Sequence, residues 1–90
     1  SERDLAIVLP DEVTWLRIES CIGSLHLANL ESLSFFDVYR GKPIPEGRKS
    51  IAFRLVFRAS DRTLKGEEVE QELARAIAAL KEKFGAELRA

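Results

Sequence analysis

Lys49-Ser-Ile-Ala-Phe-Arg-Leu-Val-Phe-Arg-Ala-Ser60 alternates with a period of two. Ile51, Phe53, Leu55 and Phe57 are large and apolar, while Ala52, Arg54, Val56 and Arg58 between them are mixed. Successive side chains of a strand point to opposite faces. The stretch therefore predicts a strand with the first set in a core and the second set facing elsewhere. The cover for that core lies further on. Val69, Leu73, Ile77, Leu80 and Phe84 fall on one stripe of a helix. Glu67, Glu68, Glu70 and Glu72 stand near its start and Lys81 and Lys83 at its end, both favourable to the helix dipole. Gly85 suits the C-terminal cap.

Upstream, Leu5-Ala-Ile-Val-Leu9 closed by Pro10 reads as a strand. Both of its alternating sets are apolar, which places it centrally in a sheet. Asp11 is the expected N-cap of a first helix over residues 12–23, carried by Val13, Leu16, Ile18, Cys21 and Ile22. Residues 24–30 read as a loop and Leu33–Tyr39 as a second strand. Arg40-Gly-Lys-Pro-Ile-Pro-Glu-Gly-Arg48 is a loop by its glycines and prolines. Ala86–Arg89 leaves room for a short last strand. The order β-α-β-β-α-β predicts an α+β, ferredoxin-like split βαβ sandwich: a four-stranded antiparallel sheet with two helices on one face.

The other face stays open. On the second strand Phe36 and Val38 are expected inward and Phe35, Asp37 and Tyr39 outward, because the opposite phase would bury Asp37 without a partner. Arg54 and Arg58 join them from the third strand, with Ala6 or Val8, Ala52 and Val56 between. Aromatic rings among arginines on an open sheet form a platform for stacking unpaired bases. The competing expectation is a protein-interaction or structural module whose open sheet packs on the rest of its parent.

Ninety residues make one domain, residues 1–90. At 46% hydrophobic and 32% charged residues the composition is that of a soluble globular domain, neither disordered nor collagen-like. No stretch reaches the ~18 apolar residues of a membrane span, and no signal-peptide pattern opens the chain. A single cysteine, Cys21, excludes an internal disulfide and a cysteine-rich zinc site, and fits a reducing, cytoplasmic setting. With no methionine, the chain reads as a domain cut from a longer one. The net charge of −1 conceals a division: −4 over residues 1–36, +5 over 37–65 and −2 over 66–90. A basic middle is the expected footprint of an anion-binding surface.

Catalytic patterns fail on inspection. Gly47-Arg-Lys-Ser50 is not a phosphate-binding P-loop, since Arg48 intervenes and no glycine stands five residues earlier. Cys21 and the lone His26 have no ligand or catalytic pattern around them, and no Ser/His/Asp or paired-carboxylate set is credible. No metal site, cofactor or catalytic activity is expected of the domain.

Phe36-Asp-Val-Tyr-Arg-Gly41, Ile44-Pro-Glu-Gly47, Lys49-Ser-Ile-Ala-Phe-Arg-Leu55 and Asp61-Arg-Thr-Leu64 before Glu67-Glu-Val69 resemble the ferredoxin-fold anticodon-binding domain. That family's domain ends the β subunit of bacterial phenylalanine–tRNA ligase and the single-chain mitochondrial enzyme. The dense motifs cover residues 33–73, and a looser match runs from Arg3 to Arg89. The resemblance implies that this chain comes from the C-terminus of such a subunit. Its implied partners are the anticodon stem-loop of phenylalanine tRNA, the rest of the β subunit and the α subunit, and neither DNA nor a membrane. ATP and Mg²⁺ would serve ligase chemistry elsewhere in the parent. It further implies that Asp37 and Tyr39 lie where the first anticodon base is read. A carboxylate can accept from a guanine's Watson–Crick edge, and a tyrosine ring supplies a stacking plane. Arg40, Lys42, Arg48, Lys49, Arg54 and Arg58 would then hold phosphates, which sets register rather than sequence. Where the family usually has Thr or Ser and then Asp, this chain has Lys65-Gly66. That removes a capping oxygen worth ~0.5–2 kcal/mol.

Overall fold

A computed structural model of the chain describes residues 1–89. Its elements are β1 (Glu2–Pro10), α1 (Trp15–Gly23), β2 (Leu30–Tyr39), β3 (Arg48–Phe57), α2 (Gly66–Phe84) and β4 (Glu87–Leu88). The four strands form one sheet in the order β2-β3-β1-β4, with every pairing antiparallel. The expected ferredoxin-like architecture is therefore present, with the apolar first strand in the interior of the sheet.

The alternation of β3 does what its pattern predicts. Ile51, Phe53, Leu55 and Phe57 are all buried, opposite Ile7, Leu5, Arg3 and the start of the chain. They share one core with Leu5, Ile7 and Leu9 of β1, Ile18, Cys21 and Ile22 of α1, and Val69, Leu73, Ala76, Leu80 and Phe84 of α2. Ile77 packs at its rim. Trp15 closes one end, its ring 5.3 Å from Phe53 and 5.8 Å from Phe35. The loop before β2 is tied to α2 through Glu72, which accepts from the backbone and side chain of Asn29 at 3.0 and 2.6 Å.

Several element ends depart from expectation. The first helix begins at Trp15 rather than residue 12. Pro10 accepts a turn bond from Val13, and the Thr14 hydroxyl, not Asp11, caps the helix by accepting from Arg17 N–H. Asp11 instead pairs with Arg40. Leu16, counted on the apolar face, is 70% exposed because at roughly 100° per residue it lies across the helix from the buried Ile18, Cys21 and Ile22. The second strand starts at Leu30 rather than Leu33, since Leu30 and Ser32 already pair with Phe57 and Val56 of β3. The third strand ends at Phe57 rather than Ser60, with one further bond from Arg58 N–H to Asn29 O beside the start of β2.

Helix α2 starts at Gly66 with Lys65 as its cap residue. Lysine has no acceptor to offer, so only half of a capping box survives: Glu68 accepts from Lys65 N–H at 2.8 Å. Glu68 also takes a 2.8 Å bond from Arg62. The Arg62 guanidinium first, and the Lys65 N–H second, hold the Glu68 carboxyl down at about 2, against an ordinary 4.5. At the far end Gly85 adopts the left-handed conformation, φ 67°, and its N–H returns to Lys81 O.

Truncating Leu73 to alanine removes a buried core side chain and is expected to cost about 2–5 kcal/mol of stability, read from denaturant midpoints. An unchanged midpoint would remove Leu73 from the core. The Glu68 pairs carry a pH signature. A carboxyl whose folded pKa is depressed stabilises the fold above its unfolded pKa and loses that effect as pH falls through the folded value. The advantage of the unmodified chain over Glu68→Gln should be complete above pH 4.5 and gone by about pH 2. A pH-independent difference between urea midpoints would assign Glu68 a purely steric role.

Candidate nucleic-acid interface

The open face is defined by register. Residues paired across antiparallel strands point the same way. Beside the buried pairs, Asp4 stands opposite Arg54, Ala6 opposite Ala52, and Val8 opposite Ser50. On β2, Ser34 stands opposite Arg54, Asp37 opposite Ala52 and Tyr39 opposite Ser50.

The phase of β2 is corrected by a bulge. Leu33 pairs with Leu55 and Phe35 with Phe53, both on the helix side; the register then shifts between Phe35 and Asp37. Phe36 is the extra residue. Without it, Leu33, Phe35, Asp37 and Tyr39 would share one face, and either two apolar groups would be exposed or a carboxylate buried. With it, Phe35 turns in against Trp15 and Phe36 turns out, the reverse of the expectation for these two. Val38 inward, and Asp37 and Tyr39 outward, are placed as expected. Phe36 and Tyr39 are 48% and 43% exposed; Phe35, on the other face of this edge strand, is 45% exposed and packs on Trp15 without being buried.

Asp37 accepts from Val38 N–H at 2.9 Å and takes part in no ion pair among the described residues. Tyr39 donates its hydroxyl hydrogen to Lys42 O at 2.5 Å, which fastens the following loop to the ring. The Arg89 guanidinium lies 5.5 Å from the centre of that ring and donates to Ser50 Oγ at 3.2 Å. Arg89 and Ser50 belong to this site and were not expected in it. Arg89 reaches it only because its N–H continues the β4 pairing to Ala6 O, a long-range register with no local signal.

The bases behave differently from a simple positive patch. Arg54 is held by Asp4 through two bonds of 2.8 and 3.2 Å, with Glu2 at 3.4 Å. Its hydrogen bond, more than bare charge, draws the Asp4 carboxyl below its ordinary value. Arg40 pairs with Asp11, Arg58 with Glu31 at 3.3 Å, and Arg62 with Glu68. Arg48 bridges Val8 O and Gly85 O at 3.2 and 3.1 Å, bracing the end of α2. Lys49 falls in the buried phase of β3, opposite Leu9 and 7% exposed, out of reach of a ligand on the open face. Of the six expected phosphate contacts, Lys42 alone is exposed with no carboxylate partner among the described residues. The acidic first third of the sequence thus folds onto the basic middle, and the division by charge does not survive as a surface. A hollow of about 470 Å³ beside this loop, lined by Asp11, Arg40, Lys42, Ile44, Glu46 and Arg48, likewise mixes both signs.

A family model described as the ferredoxin-fold anticodon binding domain matches residues 1–89. The phenylalanine–tRNA ligase beta subunit of Trichormus variabilis is 47% identical over 89 residues, 99% of this chain and 11% of that protein. The beta subunit of Symbiobacterium thermophilum is 47% identical over 87 residues, 97% of this chain and 10% of its own length. That of Anaeromyxobacter dehalogenans is 42% identical over 87 residues, again 97% and 11%. The chain spans about a tenth of the length of the curated relatives it matches.

If carboxylates mask the arginines, unmasking one must show. Asp4→Asn leaves Arg54 with only the more distant Glu2 and is expected to delay elution from a heparin column, shifting it to higher salt. Elution at unchanged salt would mean that the pair hides no charge.

Proposed function

This chain belongs to the ferredoxin-fold anticodon-binding domain family, and we propose that it is the module with which a phenylalanine–tRNA ligase beta subunit grips the anticodon stem-loop of phenylalanine tRNA. In this reading Asp37 and Tyr39 receive the first anticodon base: the carboxylate accepts from the guanine edge and the ring stacks on the base. Lys42, fastened beside the ring by the Tyr39 hydroxyl, holds a neighbouring phosphate. The domain does no chemistry itself. ATP-dependent aminoacylation, with its ATP and Mg²⁺, belongs to the rest of the ligase. Among the described residues no three carboxylate, histidine or cysteine groups converge to hold a metal ion. The remainder of the beta subunit and the alpha subunit are the protein partners, in the cytoplasm. Among the described residues no helix is long and apolar enough to cross a membrane.

The observation that carries the reading is the freedom of Asp37. A carboxylate beside arginines on a sheet ordinarily serves as a counter-ion. Here Arg54 and Arg58 are answered by Asp4, Glu2 and Glu31, and Asp37 is left exposed next to an aromatic ring. The mixed charge of the face also favours a polar ligand over a dry protein contact.

The two side chains should fail in different ways. Tyr39→Ala removes a stacking plane and is expected to cost ~1–3 kcal/mol whatever the base. Asp37→Ala removes charged acceptors, worth ~1.5–3 kcal/mol, for guanine alone. The measurement is a titration of the unmodified and Asp37→Ala chains against stem-loops with guanine or adenine at the first anticodon position. Equal guanine preference in both proteins would refute base reading by Asp37.

A further inference from the structure

The bulge leaves one aromatic side chain without a structural task. Phe36 lies on the open face, whereas Phe35, itself 45% exposed, lies on the other face against Trp15. The Arg54 guanidinium lies over its ring, 4.8 Å from the centroid. That guanidinium is itself fixed in place by Asp4 and Glu2, so its charge is answered while its plane remains. Aromatic rings and arginine planes are the two protein surfaces on which unpaired bases stack with little regard to their edges.

The surroundings say what kind of partner fits. By register the neighbours of Phe36 are Ser34 and Asp37 on its own strand and Ala52 and Arg54 on the next. A single ring among small and polar groups is not the broad apolar patch that marks a protein contact. It matches one flat, partly polar ring. Phe36 and Tyr39 stand three positions apart on one face, roughly 7–10 Å along the strand. One base does not cover both rings, whereas two consecutive unpaired bases do.

We propose that Phe36, backed by Arg54, is a second stacking platform, which takes the unpaired base next to the one received at Tyr39. The proposal rests on the stem-loop reading above and extends it from one base to two. Because the carboxylates neutralise Arg54, the contribution is stacking, not phosphate attraction.

The test uses anticodon stem-loops of phenylalanine tRNA carrying 2-aminopurine at each anticodon position in turn. Binding to the unmodified chain is expected to quench the probe at the first position and at one neighbour. Phe36→Leu keeps apolar bulk but loses the ring. It should abolish the neighbour's quench and weaken binding about 5-fold or more, up to ~150-fold, with the slope of log affinity against log salt unchanged. Phe36→Tyr should restore both. Quenching confined to the first position would overturn the platform and leave the Tyr39 site standing. So would Phe36→Leu binding as tightly as the unmodified chain, or Phe36→Tyr failing to restore a loss. Absence of any stem-loop binding by the unmodified chain would overturn both readings together.

Discussion

Everything on the sheet is referred to Phe53. Its side chain is fully buried in the middle of β3, with Trp15 of α1 against its ring, Leu5 opposite on β1 and Phe35 opposite on β2. A large aromatic group in that position seats the first helix and sets the pleat of three strands at once. Truncating such a ring in a close-packed interior costs about 3–5 kcal/mol. The pleat leaves little freedom elsewhere. Once Phe53 points to the helices, Arg54 and Ala52 face away, and so do Asp4 and Ala6 across from them.

Strand β2 must satisfy two demands that strict alternation cannot meet together. Leu33 has the core and Phe35 has Trp15 at its rim to pack against, while Asp37 and Tyr39 need water or a ligand. All four have the same parity. One inserted residue resolves the conflict, and Phe36 is that residue. Reading the pattern as an unbroken alternation forces a choice. Keeping Asp37 out of the core gets the polar end of the strand right and its apolar start wrong. The pleat of β3 and the stripe of α2 were legible because each keeps one period over its whole length. The bulge was not, because it is a break in the period that only the partner strand reveals.

The placement of the candidate site's residues on one face was legible to the same degree and for similar reasons. Asp37 and Tyr39 are two residues apart on one strand, a relation that local geometry preserves past the bulge. The surrounding bases were not legible. Lys49 and Arg54 are equally basic in a list of residues, yet one lies in the buried phase and the other in the exposed phase of the same strand. Arg54, Arg40 and Arg58 meet carboxylates that are 50, 29 and 27 positions away in sequence. Counting charges along the chain treats neighbours in sequence as neighbours in space. In an antiparallel sheet the nearer neighbours are across the strands. Arg89 is the complementary case, a base from the acidic last third delivered to Tyr39 by the final backbone bond to β1.

The pairing of arginine with carboxylate across this face bears on how fast, as opposed to how firmly, a polyanion is held. Long-range attraction that accelerates encounter comes from uncompensated charge, and salt bridges between neighbouring side chains cancel it beyond a few ångströms. A surface of this kind collects chance collisions with nucleic acid at an ordinary diffusional rate and releases most of them quickly. On the proposed stem-loop reading, discrimination would then reside in residence time, which short-range fit against the rings of Phe36 and Tyr39 and the carboxylate of Asp37 would prolong for the matching loop alone.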